Sequence, residues 1–255
     1  MALFAVSATA YARFMGRFSS PLGPPFADLG LAGVAPTGSV LDVGCGPGML
    51  TTELARRHGA TNVAAVDPVE TFVEATAATV VGADVRLAKA EALPFADATF
   101  DAVLAQLVVH FMRDPAAGIA EMARVTRPGG RVSACVWDHA GGTGPLTSFW
   151  EVAKRADPTT ADEGDLPGTA SGQLAALLDG ASLHEVVETS LDVEVSFATF
   201  DEWWEPFTLG VGPAGQHVAN LDDDGRALLV EMLRAELGEG PFTVRASAWA
   251  ATGLR

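Results

Sequence analysis

The chain has 255 residues, with 16 Lys and Arg against 32 Asp and Glu, two cysteines and one tyrosine. A net charge of −16 without a Lys/Arg cluster excludes nucleic acid as the main partner and disfavours an anionic membrane surface. No apolar run reaches the roughly 18–20 residues of a membrane helix, and two cysteines make no disulfide framework.

Hydrophobic residues make up 49% of the chain, enough for a large core in a single domain of residues 1–255. Cys45, in a glycine loop, and Cys135, in an apolar run, read as reduced thiols of a cytoplasmic protein. The first ten residues faintly resemble a secretory leader but lack its positively charged start.

Residues 39–43 form a short apolar strand that ends in glycines. Residues 50–58 follow with helical spacing, Leu50, Leu54, Ala55 and His58 sharing a face. A second strand spans 62–66, a second helix 70–79, a third strand 84–88 and a fourth 100–105. A helix over 115–125 carries the stripe Ile119, Met122 and Ala123. Turn chemistry at 127–130 precedes a fifth strand over 131–137. This alternation predicts right-handed βαβ units in a doubly wound sheet with helices on both faces.

Past Trp137 the rhythm breaks. Helices are expected over 149–156, 173–178 and 226–237, and strands over 186–197 and 242–250. Residues 138–171 and 200–240 read as insertions capping the carboxyl edge of the sheet, where such folds bind ligands. A loosely packed helical appendage is the other reading of 200–240. Trp203, Trp204 and Phe207 form either an apolar wall over the site or the cap's own small core. The acidic segments 162–165 and 222–224 read as solvated loops, or as charge that steers a cationic substrate.

The most informative stretch is Leu41-Asp-Val-Gly-Cys-Gly-Pro-Gly48, a buried strand running into glycines at alternate positions. Glycine lets the backbone turn sharply and approach a ligand closely, ahead of a helix N-terminus with partial positive charge. No Gly-Lys-Ser/Thr follows, which argues against a triphosphate. Asp67 closes the second strand about 20 residues on, the distance at which an acidic side chain accepts ribose hydroxyls. It also stands where it could cap the next helix.

With these features the chain resembles the class I S-adenosylmethionine-dependent methyltransferases. It is most similar to the methyltransferase type 11 branch, with the ubiquinone and menaquinone C-methyltransferases and many bacterial relatives. The likeness rests on the glycine stretch, Val66-Asp67-Pro68, Ala90-Glu-Ala-Leu-Pro-Phe95 with Phe100-Asp-Ala-Val103, and Val125-Thr-Arg-Pro-Gly-Gly130. Tyr11-Ala-Arg-Phe-Met-Gly-Arg-Phe-Ser19 looks like a subgroup's opening helix, within N-terminal lid helices over 1–35. The matching motifs span about residues 11–137, with a weaker likeness at 248–253.

The resemblance implies a Rossmann-like α/β fold, with a seven-stranded, mostly parallel sheet, an antiparallel last strand and a helical cap. It implies S-adenosylmethionine as cofactor and S-adenosylhomocysteine as product. Gly44 and Gly46, with Cys45 between them, would line the methionine part, and Asp42 would support the loop and the amino group. Asp67 would take the ribose hydroxyls, Pro68 would pack on the adenine, and Ala90 and Glu91 would sit at its edge. Gln106, with Leu107 beside it, would offer its carbonyl to the methionine ammonium. Tyr11 and Arg17 would contact the carboxylate end. Relatives carry Asp where this chain has Lys89, and lysine has no acceptor. Either Glu91 or a backbone carbonyl then takes the adenine amino group, or affinity weakens.

His110, just past the fourth strand, is the candidate base or substrate-orienting group; a packed histidine is the other reading. Tyr11 closes the site, acts through its hydroxyl, or packs an amphipathic helix. His139 either touches substrate or anchors a loop. His58, His184 and His217 lack partners at metal spacing, so no metal is expected. The expected reaction is methyl transfer to a small, apolar or aromatic molecule by a monomer or homodimer. A degenerate member that binds without catalysis is the alternative, supported by Lys89. An NAD(P)-dependent oxidoreductase is a further rival, but it would want Gly-x-Gly-x-x-Gly, and position 49 is Met.

Overall fold

The computed structural model describes residues 7–255. Helices α1 (Ala8–Phe14) and α2 (Gly16–Gly30) come first. They are followed by β1 (Val40–Val43), α3 (Met49–His58), β2 (Val63–Asp67), α4 (Glu70–Thr79), β3 (Asp84–Leu87), β4 (Phe100–Gln106), α5 (Pro115–Val125) and β5 (Thr126–Trp137). Then come α6 (Thr147–Ala156), α7 (Gln173–Gly180), β6 (His184–Phe197), α8 (Phe200–Trp204), α9 (Gly212–Asn220), α10 (Asp223–Leu237) and β7 (Phe242–Leu254). Most of the leader-like stretch, residues 1–6, lies outside the described residues.

The strands form one sheet in the order β3-β2-β1-β4-β5-β7-β6. The first five are parallel, and β7 inserts antiparallel between β5 and β6. This is the expected doubly wound, seven-stranded arrangement.

The central strands are apolar on both faces because helices cover both. Val40, Ala102 and Leu104 join one core, while Leu41, Val43, Val103 and Ala105 join the other. Full burial of each Val or Leu contributes roughly 1.5–3 kcal/mol. Two polar side chains on these strands are nonetheless buried, Asp42 on β1 and Gln106 at the end of β4.

Local chemistry sets several boundaries. Asp114 caps α5 by accepting from Ala117 N at 3.0 Å, with Pro115 at the first helical position. Helix α2 breaks the local rules, with Pro21, Pro24 and Pro25 inside it. Each proline removes a donor and disfavours helix. Burial of Phe18, Leu22 and Phe26 against the sheet holds the helix in place. A Cβ at Gly30 would run into Leu104, so the end of α2 lies directly on β4.

The turn expected at 127–130 is instead an extension of β5. Gly129 N donates to Arg255 O at 2.7 Å and Arg255 N to Gly130 O at 3.0 Å, so the end of the chain supplies the partners. The ladder shifts register there, between Phe100 and Ala102 on β4.

Beyond β5, Asp138 shapes the loop by accepting from Gly141 N at 2.8 Å and the Thr143 hydroxyl at 2.6 Å. Rings from three regions then interlock. Phe207 stacks on Phe149 of α6 with centroids 4.8 Å apart, and meets Phe14 of α1 edge-on at 4.9 Å. Trp203 packs on the same ring at 4.7 Å. Helix α1 is therefore joined to the segments after β6. Helix α7 behaves differently: Leu174 and Leu178 enter the opposite core, beside α5.

Candidate active site

Strand order reverses between β1 and β4, which opens a crevice beyond their carboxyl ends. The loop after β1 lines it. Gly44 N and Cys45 N both donate to Val66 O, at 2.8 and 3.0 Å, which pins the loop to β2. Gly44 has φ +71°, and a Cβ there would run into Val108. From the end of β2, Asp67 accepts Gly46 N through Oδ2 at 2.9 Å and Val69 N through Oδ1 at 2.8 Å. The Thr76 hydroxyl donates to Gly46 O at 2.8 Å, and the Thr51 hydroxyl to Asp42 Oδ2 at 2.6 Å.

Two cavities adjoin this loop, and a third meets them at Tyr11 and Leu107. The largest, about 420 Å³, runs past Gly44, Gly46, Asp67, Pro68, Ala90 and Leu107. A small one of about 20 Å³ lies among Ser19, Asp42, Gly44, Cys45, Gly46 and Gln106. The third, about 30 Å³, is lined by His110, Phe111, Trp137, His139 and Glu163, with Val211–Ala214 beyond them. Tyr11 and Leu107 line all three. Leu107 is held there with φ +61°, a region bulky residues rarely adopt. Its N–H donates to Cys135 O at 2.8 Å.

Three buried side-chain oxygens beside the small cavity lack protein partners, one of them the Ser19 hydroxyl and the other two pure acceptors. Gln106 Nε2 donates to Ser19 O at 2.9 Å, which turns Oε1 away from that bond and leaves it unpaired. Asp42 Oδ1 is likewise unpaired. A buried acceptor without a donor is costly, so a ligand with N–H groups would relieve both.

Burial governs protonation. It pushes the Asp42 carboxyl up to about 7, with Asp67 adding and Thr51 opposing. Burial, then the Asp67 charge, lifts the Tyr11 phenol to about 12, so Tyr11 keeps its proton. The Cys45 thiol is pushed up by burial, then by Asp42 and Asp67, which disfavours thiolate chemistry. His110 is driven well below the usual histidine range by burial, and then by His139; its ring is neutral and Nδ1 is unpaired. Burial takes His139 down to about 4 against the pull of Asp162 and Asp138.

The Methyltransferase domain family model matches residues 41–134, the stretch that builds this crevice. An uncharacterized methyltransferase of Mycobacterium sp. strain KMS is 32% identical over 206 residues, covering 76% of this chain and 80% of that one. The chain belongs to the S-adenosylmethionine-dependent methyltransferase family. An uncharacterized methyltransferase of Mycobacterium tuberculosis is 42% identical over 99 residues. That match spans 39% of each chain, well under half of that relative. Among solved structures, phosphoethanolamine N-methyltransferase 2 of Haemonchus contortus, in complex with phosphomonomethylethanolamine and S-adenosylhomocysteine, has a TM-score of 0.59 at 14% identity. It covers 97% of this chain and 56% of that one, and the likeness is one of fold.

The residues present fit the family's cofactor. Unpaired Gln106 Oε1 and Asp42 Oδ1 suit an ammonium, the glycines leave room for a ligand against the backbone, and the Asp67 carboxylate borders the long cleft.

Most of the predicted site residues converge here, but Arg17 does not line any of the three cavities. It pairs with Glu202 at 2.7 Å, donates to Ser196 O at 3.1 Å and lies 4.3 Å from the centre of the Phe197 ring. Glu91 borders the cleft while its Oε1 accepts Arg113 N at 2.8 Å and Asp114 N at 3.2 Å, so part of its capacity goes to the backbone. Lys89 borders the same cleft. Trp203, Trp204 and Phe207 line none of the three cavities and pack with one another.

Glu163, read from the sequence as part of a solvated acidic loop, is only 4% exposed and lines the chamber with His110. Its indole partner Trp150 and the loop-bracing Thr76 also carried no sequence signal, because each depends on a contact between distant segments.

Proposed function

We propose that this protein transfers a methyl group from S-adenosylmethionine to a small, apolar or aromatic acceptor. The observation that carries the reading is a set of three cavities sharing Tyr11 and Leu107, with unpaired Gln106 and Asp42 oxygens beside one and neutral His110 lining another.

In this reading Gln106 Oε1 and Asp42 Oδ1 hold the methionine ammonium, and Gly44, Cys45 and Gly46 border its chain. Asp67 takes the ribose hydroxyls, while Pro68, Ala90 and Glu91 border the adenine. When bound, the cofactor supplies an electrophilic methyl carbon on a sulfonium centre. The protein contributes mainly alignment, which converts a bimolecular displacement into a near-unimolecular one. His110 Nδ1 accepts the proton of an O–H or N–H acceptor as the nucleophile reacts, or orients an acceptor that has no proton to lose. Tyr11, which stays protonated, separates the cofactor side from the acceptor side. The apolar walls around the chamber, including Phe14, Phe111, Leu146 and Val211, motivate the acceptor class.

Residues 7–35, 138–171 and 200–240 act as lid and cap in this reading. We place the protein in the cytoplasm, where Cys45 and Cys135, both free and buried, stay reduced. Among the described residues no helix is long and apolar enough to cross a membrane.

Calorimetric titration with S-adenosylhomocysteine tests the cofactor assignment. Micromolar affinity that is lost in Asp67→Ala supports it; no affinity in the native protein refutes it.

A further inference from the structure

The acceptor chamber has walls that are almost wholly apolar and a small group of polar side chains, of which Glu163 alone is not foreshadowed as a site residue by the sequence. Glu163 is the most unusual of them. It reaches the chamber because its loop is braced on both sides. The single Thr169 O–H is shared between Gly164 O at 2.8 Å and Leu166 O at 2.7 Å, and Ala140 N donates to Thr169 O at 3.3 Å. On the helix before it, Trp150 Nε1 donates to Glu163 Oε2 at 3.0 Å and sets the carboxyl's orientation. Lys154, which could have neutralised it, pairs instead with Asp162.

A buried carboxyl without a cationic partner is expensive, and an apolar residue of similar size would pack there at lower cost. Its company in the chamber adds to the case. His110 Nδ1 and Trp137 Nε1 are buried without protein partners, and His139 lines the same wall, its ring centre 6.3 Å from that of His110. Among the described residues no Lys or Arg lines the chamber. At about 30 Å³ it admits only the reacting end of an acceptor. The polar part of that end therefore meets Glu163 and His110 together.

We infer that Glu163 is a specificity-determining residue of this methyltransferase, accepting a hydrogen bond from a neutral O–H or N–H on an otherwise apolar acceptor and turning away acceptors that are anionic there. The inference rests on the chamber being the acceptor side of the site described above. The titratable groups around Glu163 are Asp162 on its own loop, His139 and Asp138 after β5, His110 after β4, and Tyr11 on α1. Asp162 adds negative charge, Lys154 is taken up by Asp162 and the imidazoles are neutral, so among the described residues no positive charge in the chamber offsets that of an anion.

The test uses the protein saturated with S-adenosylhomocysteine and four one-ring probes: phenol, aniline, toluene and benzoate. Binding is followed by ligand-observed NMR at about pH 8, above the carboxyl value of about 7. A hydrogen bond to a charged acceptor predicts that phenol and aniline bind about tenfold or more tightly than toluene, with benzoate weakest. Glu163→Leu removes the preference for phenol over toluene. In Glu163→Gln the amide oxygen takes the Trp150 N–H and the NH2 faces the chamber, where it donates to the phenol oxygen, keeping the preference over toluene, and admits benzoate. Calorimetry with S-adenosylhomocysteine on all three proteins shows that each is folded with its cofactor side intact. Benzoate binding as tightly as phenol, the same ranking in both variants, or failure of phenol and aniline to bind would overturn the inference while leaving the cofactor assignment standing. Absence of S-adenosylhomocysteine binding by the native protein would overturn the reading beneath it.

Discussion

Asp67→Asn is the most informative perturbation of the cofactor side. The carboxylate braces the glycine loop through Gly46 N at 2.9 Å and Val69 N at 2.8 Å. In the proposed complex it also accepts from the ribose diol. Hydrogen bonds to a charged group contribute roughly 1.5–3 kcal/mol each. Asparagine keeps one acceptor oxygen, loses the charge and turns an NH2 toward a backbone donor. The expected loss is about 2–4 kcal/mol of binding, or roughly 30- to 1000-fold in Kd for S-adenosylhomocysteine. Calorimetry on native, Asp67→Asn and Asp67→Ala proteins reads this directly, and urea midpoints of the ligand-free proteins separate binding from loop damage. If both variants fold and bind within about threefold of the native protein, the ribose role is wrong. Burial raises the native carboxyl above its ordinary value, so affinity for the ligand should rise with pH as that group ionises and then level off.

Four further outcomes are expected. Gly44→Ala, at φ +71° with a Cβ meeting Val108, should remove S-adenosylhomocysteine binding in a calorimetric titration. Arg17→Ala should change that affinity by no more than about threefold, because the guanidinium faces Glu202 and Phe197; its stability cost, read by urea unfolding, should be about 1 kcal/mol or less for a partly exposed pair. His110→Ala should slow methylation of an O–H or N–H acceptor by about 100- to 10,000-fold in a radiolabelled methyl-transfer assay while leaving S-adenosylhomocysteine affinity unchanged. Asp42→Asn should be relatively more stabilising at about pH 8 than at about pH 5 in urea melts of the ligand-free protein. The native carboxyl titrates at about 7 when folded against 3.8 when unfolded, so across that window the unfolded state sheds its proton first and stability falls as pH rises.

The sheet was legible because its signals are local. Strand residues 39–43, 62–66 and 100–105 are apolar runs bounded by turn residues, and the glycine loop with Asp67 announces a ligand crevice through spacing alone. The structure shifts β2 by one residue, to Val63–Asp67, and extends β4 by one, to Gln106, and both Asp67 and Gln106 border the site. Less local features escaped. Helix α2 persists through three prolines because tertiary burial outweighs propensity. The 127–130 turn became strand because the far end of the chain pairs with it.

The chamber around His110 and Glu163 lay furthest from view. Its walls come from α1, the segment after β4, the loop after β5, the 157–171 loop and residues 211–214, so no single stretch of sequence carries its pattern. The sequence by itself determined the doubly wound sheet and its glycine-lined crevice, since hydrophobic period and glycine spacing act within about 20 residues. Only tertiary packing decided that Arg17 pairs with Glu202 against Phe197 away from the crevice and that Glu163 turns inward to line one chamber with His110. A side chain's charge does not say which way a loop will fold until the loop has something to fold against.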